Sequence, residues 1–157
     1  MHAQLKYRIA NPADVAECIE VRGLTRENAI SAEHLASMGI TLDSWSKSIQ
    51  DGSLPGVVCK SEGRIVGYCF GERNSGEIAV LALLPEYESI GVGRRLLSKV
   101  SGVLFSQGHR RLFLGCSSNP NSRSFGFYRH LGWLSTNTYD ANGNEVLELL
   151  ATVSGDA

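Results

Sequence analysis

Runs of strand-like and helix-like spacing alternate along the chain. Residues 5–9, Leu-Lys-Tyr-Arg-Ile, alternate apolar and polar, the period of a short half-buried strand. Asn11-Pro12 then supply an N-cap and a first-turn proline for a helix running towards Leu24, with Val15, Cys18 and Ile19 facing the core. A second helical region spans 32–49 and breaks near Gly39-Ile40-Thr41, where Thr41 caps a new turn carrying Leu42, Trp45 and Ile49. Residues 56–60 and 64–71 are rich in β-branched and aromatic side chains and flank Ser61-Glu62-Gly63, which predicts a hairpin. The run 77–84 is apolar at nearly every position, the pattern of a strand covered on both faces, and Pro85 ends it.

Downstream the period changes again. In 92–107, Leu96, Leu97, Val100, Val103 and Leu104 recur at helical spacing opposite Arg94, Arg95, Ser98 and Lys99, and Gly108 is placed to stop the helix. Residues 111–116 form a further short apolar run, so the order strand, helix, strand implies a parallel pair joined by a right-handed crossover. A short helix over 123–131 and strands over 134–139 and 145–152 complete the chain, with Asn142-Gly143 as a hairpin turn. The expected fold is α/β (α+β): a single domain over 1–153 with a tail at 154–157. Its sheet is mixed, mostly antiparallel and twisted, with one central parallel β-α-β crossover and flanking helices.

Composition narrows the function more than the fold. A chain of 157 residues has room for one core, and 43% hydrophobic with 20% charged residues is an ordinary globular balance. Fifteen Lys and Arg against sixteen Asp and Glu leave a net charge of -1 and no basic field, so neither nucleic acid nor a membrane surface is an expected partner. The apolar run ending at Leu84 is far shorter than the roughly 18–20 residues of a membrane span, and the first residues lack a basic-then-apolar leader; a cytoplasmic protein is expected. Cys18, Cys59, Cys69 and Cys116 are dispersed without a C-x-x-C pair. His2, His34, His109 and His130 sit in no ligand or nucleophile pattern. Buried thiols and no metal are expected.

Two stretches carry candidate chemistry. In residues 83–97 an apolar strand passes through a short loop holding Gly91 and Gly93 into an amphipathic helix, which points unpaired backbone N–H groups at one spot suited to an anion. A purely structural turn accounts for G-x-G equally well. A Rossmann fingerprint would need a small residue where Leu96 stands, and no Gly-Lys-Ser or Gly-Lys-Thr of a P-loop occurs. In residues 119–133, Asn121 lies seven residues before Tyr128, and the segment ends Leu131-Gly132-Trp133.

Taken together, L-x-P-E-Y-x-x-x-G-x-G-R and N-x-x-S-x-x-x-Y-x-x-x-G-W resemble the GNAT superfamily of acyl-CoA-dependent N-acetyltransferases over about residues 65–150. The resemblance implies acetyl-CoA as cosubstrate, its diphosphate held by the amides of Ser89, Ile90, Gly91, Val92, Gly93 and Arg94. It also implies that the strand ending at Leu83 is bulged and splays from residues 112–116, with the Leu83 backbone meeting the pantetheine arm and thioester carbonyl. Asn121 would contact the pantetheine or phosphate region, Tyr128 would protonate the departing thiolate, and Glu77 would accept the amine proton. Glu88 departs from the family pattern, which often has Gln or Arg there. A carboxylate beside a diphosphate repels it, so its side chain is expected to point outward.

The implied activity is acetyl transfer to a primary amine of a small molecule by direct attack in a ternary complex. A non-catalytic CoA-binding sensor and a protein N-terminal or lysine acetyltransferase remain open alternatives, as does a homodimer. The acceptor pocket is expected from residues 24–51 and the closing hairpin. Glu27, Glu33 and Asp43 there suit a cationic acceptor or simply a solvated face. Trp45 either lines that cleft or anchors the core. Cys116, in an apolar strand, is not expected to act as a nucleophile.

Overall fold

The computed structural model describes residues 4–26 and 29–152; expectations for His2, Glu27 and the tail at 154–157 lie outside them. Strands β1 (Leu5–Ile9), β2 (Gly56–Ser61), β3 (Arg64–Gly71) and β4 (Ile78–Leu83) form an antiparallel sheet in that order. A second antiparallel sheet has the order β5 (Arg111–Cys116), β7 (Glu145–Leu150), β6 (Leu134–Tyr139). Five α-helices accompany them among the described residues: α1 (Val15–Arg22), α2 (Ala32–Ser37), α3 (Leu42–Gln50), α4 (Val92–Ser106) and α5 (Arg123–His130).

The crossover β4–α4–β5 is present, but the parallel pairing expected along it is reduced to one bridge, Glu77 with Phe113. The Phe113 N–H donates to the Gly76 carbonyl there at 3.2 Å. The cause is local. Phe70 faces Val80 and Gly71 faces Ile78, so Ala79 is an extra residue in β4. Such a bulge bends the strand and increases its twist. From that point β4 and β5 part, and the sheet forks. Coverage of β4 is correspondingly incomplete: Ile78 and Ala82 are buried, Ala79 is exposed, and Val80, Leu81 and Leu83 are half-buried.

Helix α4 lies close on one face of the first sheet because two glycines make room. A Cβ on Gly71 would stand 2.7 Å from Leu104 Cδ1, and one on Gly67 would stand 3.2 Å from Leu96 Cδ1. On the opposite face Trp45 packs against Tyr68 and Phe70, with ring centroids 6.1 and 5.4 Å away. Trp45 is therefore a core anchor. Cys18 and Val21 turn inward from α1, whereas Ile19 is only half-buried. In the β6–β7 hairpin only Gly143 of the Asn-Gly pair takes positive φ. The turn is closed by the Asp140 carboxylate, which accepts from the N–H groups of Asn142 and Asn144 at 2.9 and 3.0 Å. Arg129 ties α5 to this hairpin by pairing with Glu145, which also accepts from the Ser135 hydroxyl.

The start of α1 is fixed by a small charged knot. Arg8 reaches Asp14 with two nitrogens at 2.7 and 2.8 Å, and the Asn11 N–H donates to the same carboxylate at 2.9 Å. Burial alone would raise the Asp14 pKa, but the bonds from Arg8 and Asn11 outweigh it and hold the carboxyl below its usual range. A carboxyl lowered on folding stabilises above its unfolded pKa of about 4, and that contribution disappears as pH falls through the lower folded value. Asp14→Asn should therefore cost about 1–3 kcal/mol near neutral pH. The deficit should shrink as pH falls below about 4, as urea denaturation of both proteins at neutral and at acid pH would measure.

Candidate active site

Beyond the Glu77–Phe113 bridge, β4 and β5 diverge towards Leu83 and Ser117 and enclose a cleft of about 660 Å³. The Leu84 N–H bonds the Val66 carbonyl at 2.9 Å, so it points into the first sheet. Because successive backbone groups alternate in direction, the N–H and C=O of Leu83 and Leu81 point the other way, towards the open edge. Among the described residues no strand pairs with that edge beyond the bridge.

At the wide end the chain turns through Pro85–Tyr87 and enters α4 by an irregular loop. Ser89 has φ 65° and Gly91 has φ 92°, two left-handed positions separated by one residue. Gly91 caps α4 without a side-chain hydrogen bond, and the first helical bond there is Arg95 N–H to the Gly91 carbonyl at 3.1 Å. The N–H groups of Val92, Gly93 and Arg94 thus have no intrahelical partner, and the helix dipole adds positive potential at the same place. The two glycines differ. Gly91 opens on empty space, whereas Gly93 is buried, and a Cβ there would meet Leu83 Cδ1 at 3.3 Å and Phe127 Cζ at 3.4 Å. The smallness of Gly93 lets α4 pack on β4 and α5.

The remaining site residues are distributed unevenly. Tyr128 lines the cleft from α5, its ring packed edge-on against Phe127 and Trp133 with centroids 5.0 and 6.1 Å away. Burial pushes its phenol well above the usual range, Cys69 and Cys116 reinforce this, and Arg22 opposes it, so the hydroxyl keeps its proton. Leu83 is in the wall. The Val92 side chain belongs to the core, while Ile90 and Arg94 are exposed outside the wall. Ser89 accepts a hydrogen bond from Arg123 at 3.0 Å. Asn121 stands on an exposed turn away from the wall, with its N–H donated to the Asn119 side chain at 3.0 Å. Glu77 sits at the closed end beside the bridge, also outside the wall; burial, then Glu72 and Asp140, raise its carboxyl pKa. Cys116 lines the cleft as a thiol, since burial raises its pKa, and donates to the Ser124 carbonyl at 3.5 Å.

Glu88 does not point outward as expected. Its side chain is 14% exposed, lines the cleft, and pairs with Arg26 at 2.8 Å and Arg123 at 3.9 Å. Both arginines come from segments distant in sequence, so spacing within the loop could not reveal them. Residues 24–51 do contribute to the wall, through Thr25, Arg26, His34 and Met38, and the closing hairpin contributes Asn142 and Asn144. Glu33 and Asp43 do not line it. None of these positions has a motif; only the position of their segments pointed to them. Among the described residues no three His, Cys, Asp or Glu side chains are grouped to hold a metal ion, and no helix is long and apolar enough to cross a membrane.

Residues 21–133 match the acetyltransferase (GNAT) family, and the chain belongs to it. It is 30% identical over 121 residues to an uncharacterized N-acetyltransferase of Chlorobaculum tepidum, covering 74% of each chain. Among solved structures it resembles the PaiA N-acetyltransferase of Thermoplasma acidophilum in complex with coenzyme A. The TM-score is 0.79 at 20% identity, over 94% of this chain and 99% of that one. It also resembles yncA of Salmonella typhimurium, solved with its cofactor acetyl-CoA, with TM-score 0.72 at 18% identity over 94% of both chains. The activity is therefore acetyl-CoA-dependent N-acetyl transfer.

Gly93 provides a test of the packing. A methyl group there gains helix propensity of about 1 kcal/mol against modest crowding, so Gly93→Ala should be close to neutral. Gly93→Val brings two branches against Leu83 and Phe127 and should destabilise by about 1–3 kcal/mol, read as a lower urea midpoint with unchanged slope.

Proposed function

We propose that this protein transfers the acetyl group of acetyl-CoA to the primary amine of a small molecule, by direct attack with both substrates bound in the β4–β5 cleft. The observation that carries this reading is the fork itself. One strand edge, unpaired in the sheet, leads along the cleft that Tyr128 lines to an uncapped helix start. The edge groups of Leu81 and Leu83 suit the amides of a pantetheine arm, which would lie along β4 as an added strand does. The amides of Ser89, Ile90, Gly91, Val92, Gly93 and Arg94 suit the diphosphate, with Gly91 leaving the approach open. In the two neighbours described above, coenzyme A and acetyl-CoA are bound by proteins of the same fold. Asn121, on its exposed turn, would reach only the part of the cosubstrate outside the cleft.

The chain's own groups then cover the steps of thioester aminolysis. The Leu83 N–H would donate to the carbonyl oxygen as negative charge develops there. The Tyr128 phenol, kept neutral by burial, would give its proton to the leaving sulfur. Glu77, whose raised proton affinity suits a base, stands beyond the wall and would take the amine proton through intervening water. The amine enters between His34 of α2, with Met38 just after it, and the hairpin, with Asn142 and Asn144. A cleft of this volume, shared with a pantetheine arm, leaves room for a small acceptor, which favours a small molecule over a folded protein.

Tyr128→Phe should lower kcat by about 10- to 1,000-fold while CoA affinity stays within about threefold of wild type. Thiol release with acetyl-CoA across a panel of amino acids, polyamines, aminoglycosides and peptides, paired with calorimetric titration of CoA, reads both quantities. An unchanged kcat removes Tyr128 from the mechanism. Tight CoA binding without turnover on any amine replaces the enzyme with a CoA-binding sensor.

A further inference from the structure

The mouth of the cleft is held by three charged side chains from three separate segments. Arg26 follows α1, Glu88 precedes the amide loop, and Arg123 opens α5. The Glu88 carboxylate is contacted by Arg26 Nε at 2.8 Å and approached by Arg123 Nε at 3.9 Å. Arg123 Nη1 also donates to Ser89 Oγ at 3.0 Å, so this arginine is aimed at the loop itself. Glu88 is the least exposed of the three, with 14% of its side chain accessible against 37% for Arg123 and 61% for Arg26. All three line the same cleft.

A carboxylate in this place stands where a bound diphosphate would put charge of the same sign. It is adjacent in sequence to the first of the loop amides, and the cations nearest to it are those that a phosphate oxygen would also engage. Arginine forms two-pronged bonds with carboxylate and phosphate alike, so exchange of one anion for the other needs no new geometry at the guanidinium. We propose that Glu88 is an internal anion that occupies Arg26 and Arg123 and competes with the CoA diphosphate for them, so that it weakens CoA binding and hastens release of the thiol product. The proposal rests on the reading of this cleft as the CoA site. It assigns position 88 a part in setting affinity that its backbone alone could not have.

Glu88→Gln keeps the shape and removes the charge. It should tighten CoA by about 5- to 30-fold in calorimetric titration and lower KM for acetyl-CoA in the same direction. Affinity for pantetheine, which lacks the diphosphate, should be unchanged. The tightening should shrink when Arg26→Met is added, because one of the contested cations is then gone. Glu88→Ala, checked for folding by circular dichroism alongside the Gln variant, should move CoA affinity the same way. Unchanged or weakened CoA binding in a folded position-88 variant, or equal tightening of pantetheine, overturns the competition. If wild-type protein binds CoA and the variants do not tighten, only this proposal falls. If wild-type protein does not bind CoA at all, the reading of the cleft falls with it.

Discussion

Two neighbouring strands that meet at one bridge and then separate leave a row of backbone N–H and C=O groups without partners in the sheet. A buried group of this kind costs about 1–3 kcal/mol when it bonds to nothing, so such an edge is tolerated only where water or a ligand can reach it. Here the bridge at Glu77 and Phe113 closes one end of the gap, and the extra residue Ala79 bends β4 away from it. Everything else at the site is arranged around that gap. Helix α4 brings its N-terminus to the wide end, and α5 supplies Tyr128 to the wall.

Holding the gap open requires rigidity elsewhere, and small residues provide much of it. Gly67 and Gly71 let α4 settle on β3, and Gly93 lets its first turn touch both Leu83 and Phe127. These contacts couple the amide loop mechanically to the strand edge and to the helix that carries Tyr128. On the other side, the pairing of Arg129 with Glu145 fixes α5 to the second sheet. The parts of the site therefore sit on elements locked into the two sheets, which suits a reaction that depends on alignment more than on chemically unusual groups.

Most elements were legible because their periods are clean: the apolar stripe of α4, the alternation in β1 and the β-branched runs of β2 and β3 each match one secondary structure. The fork was not read from periodicity, since the order strand, helix, strand implies a parallel pair and nothing in Ile78-Ala79-Val80 marks a bulge. It entered only through the resemblance to a family. Residues of the amide loop were legible from glycine spacing, yet Gly91 and Gly93 look alike in sequence while one faces open space and the other faces Leu83 and Phe127. The direction of Glu88 was misread because its partners lie 62 and 35 positions away, at Arg26 and Arg123, and no local pattern reports a contact across that distance. His34, Met38, Asn142 and Asn144 were reached only through their segments, residues 24–51 and the closing hairpin, because none of them carries a motif.

The four cysteines are all buried, and burial raises the pKa of every one of them. Disulfide exchange requires an accessible thiolate. An enzyme that liberates a thiol at each turnover works in the company of oxidised forms of that thiol. Keeping its sulfurs protonated and buried, with Cys116 alone of the four in the cleft wall and its thiol bonded to the Ser124 carbonyl, protects this chain from being capped by its own product as a mixed disulfide.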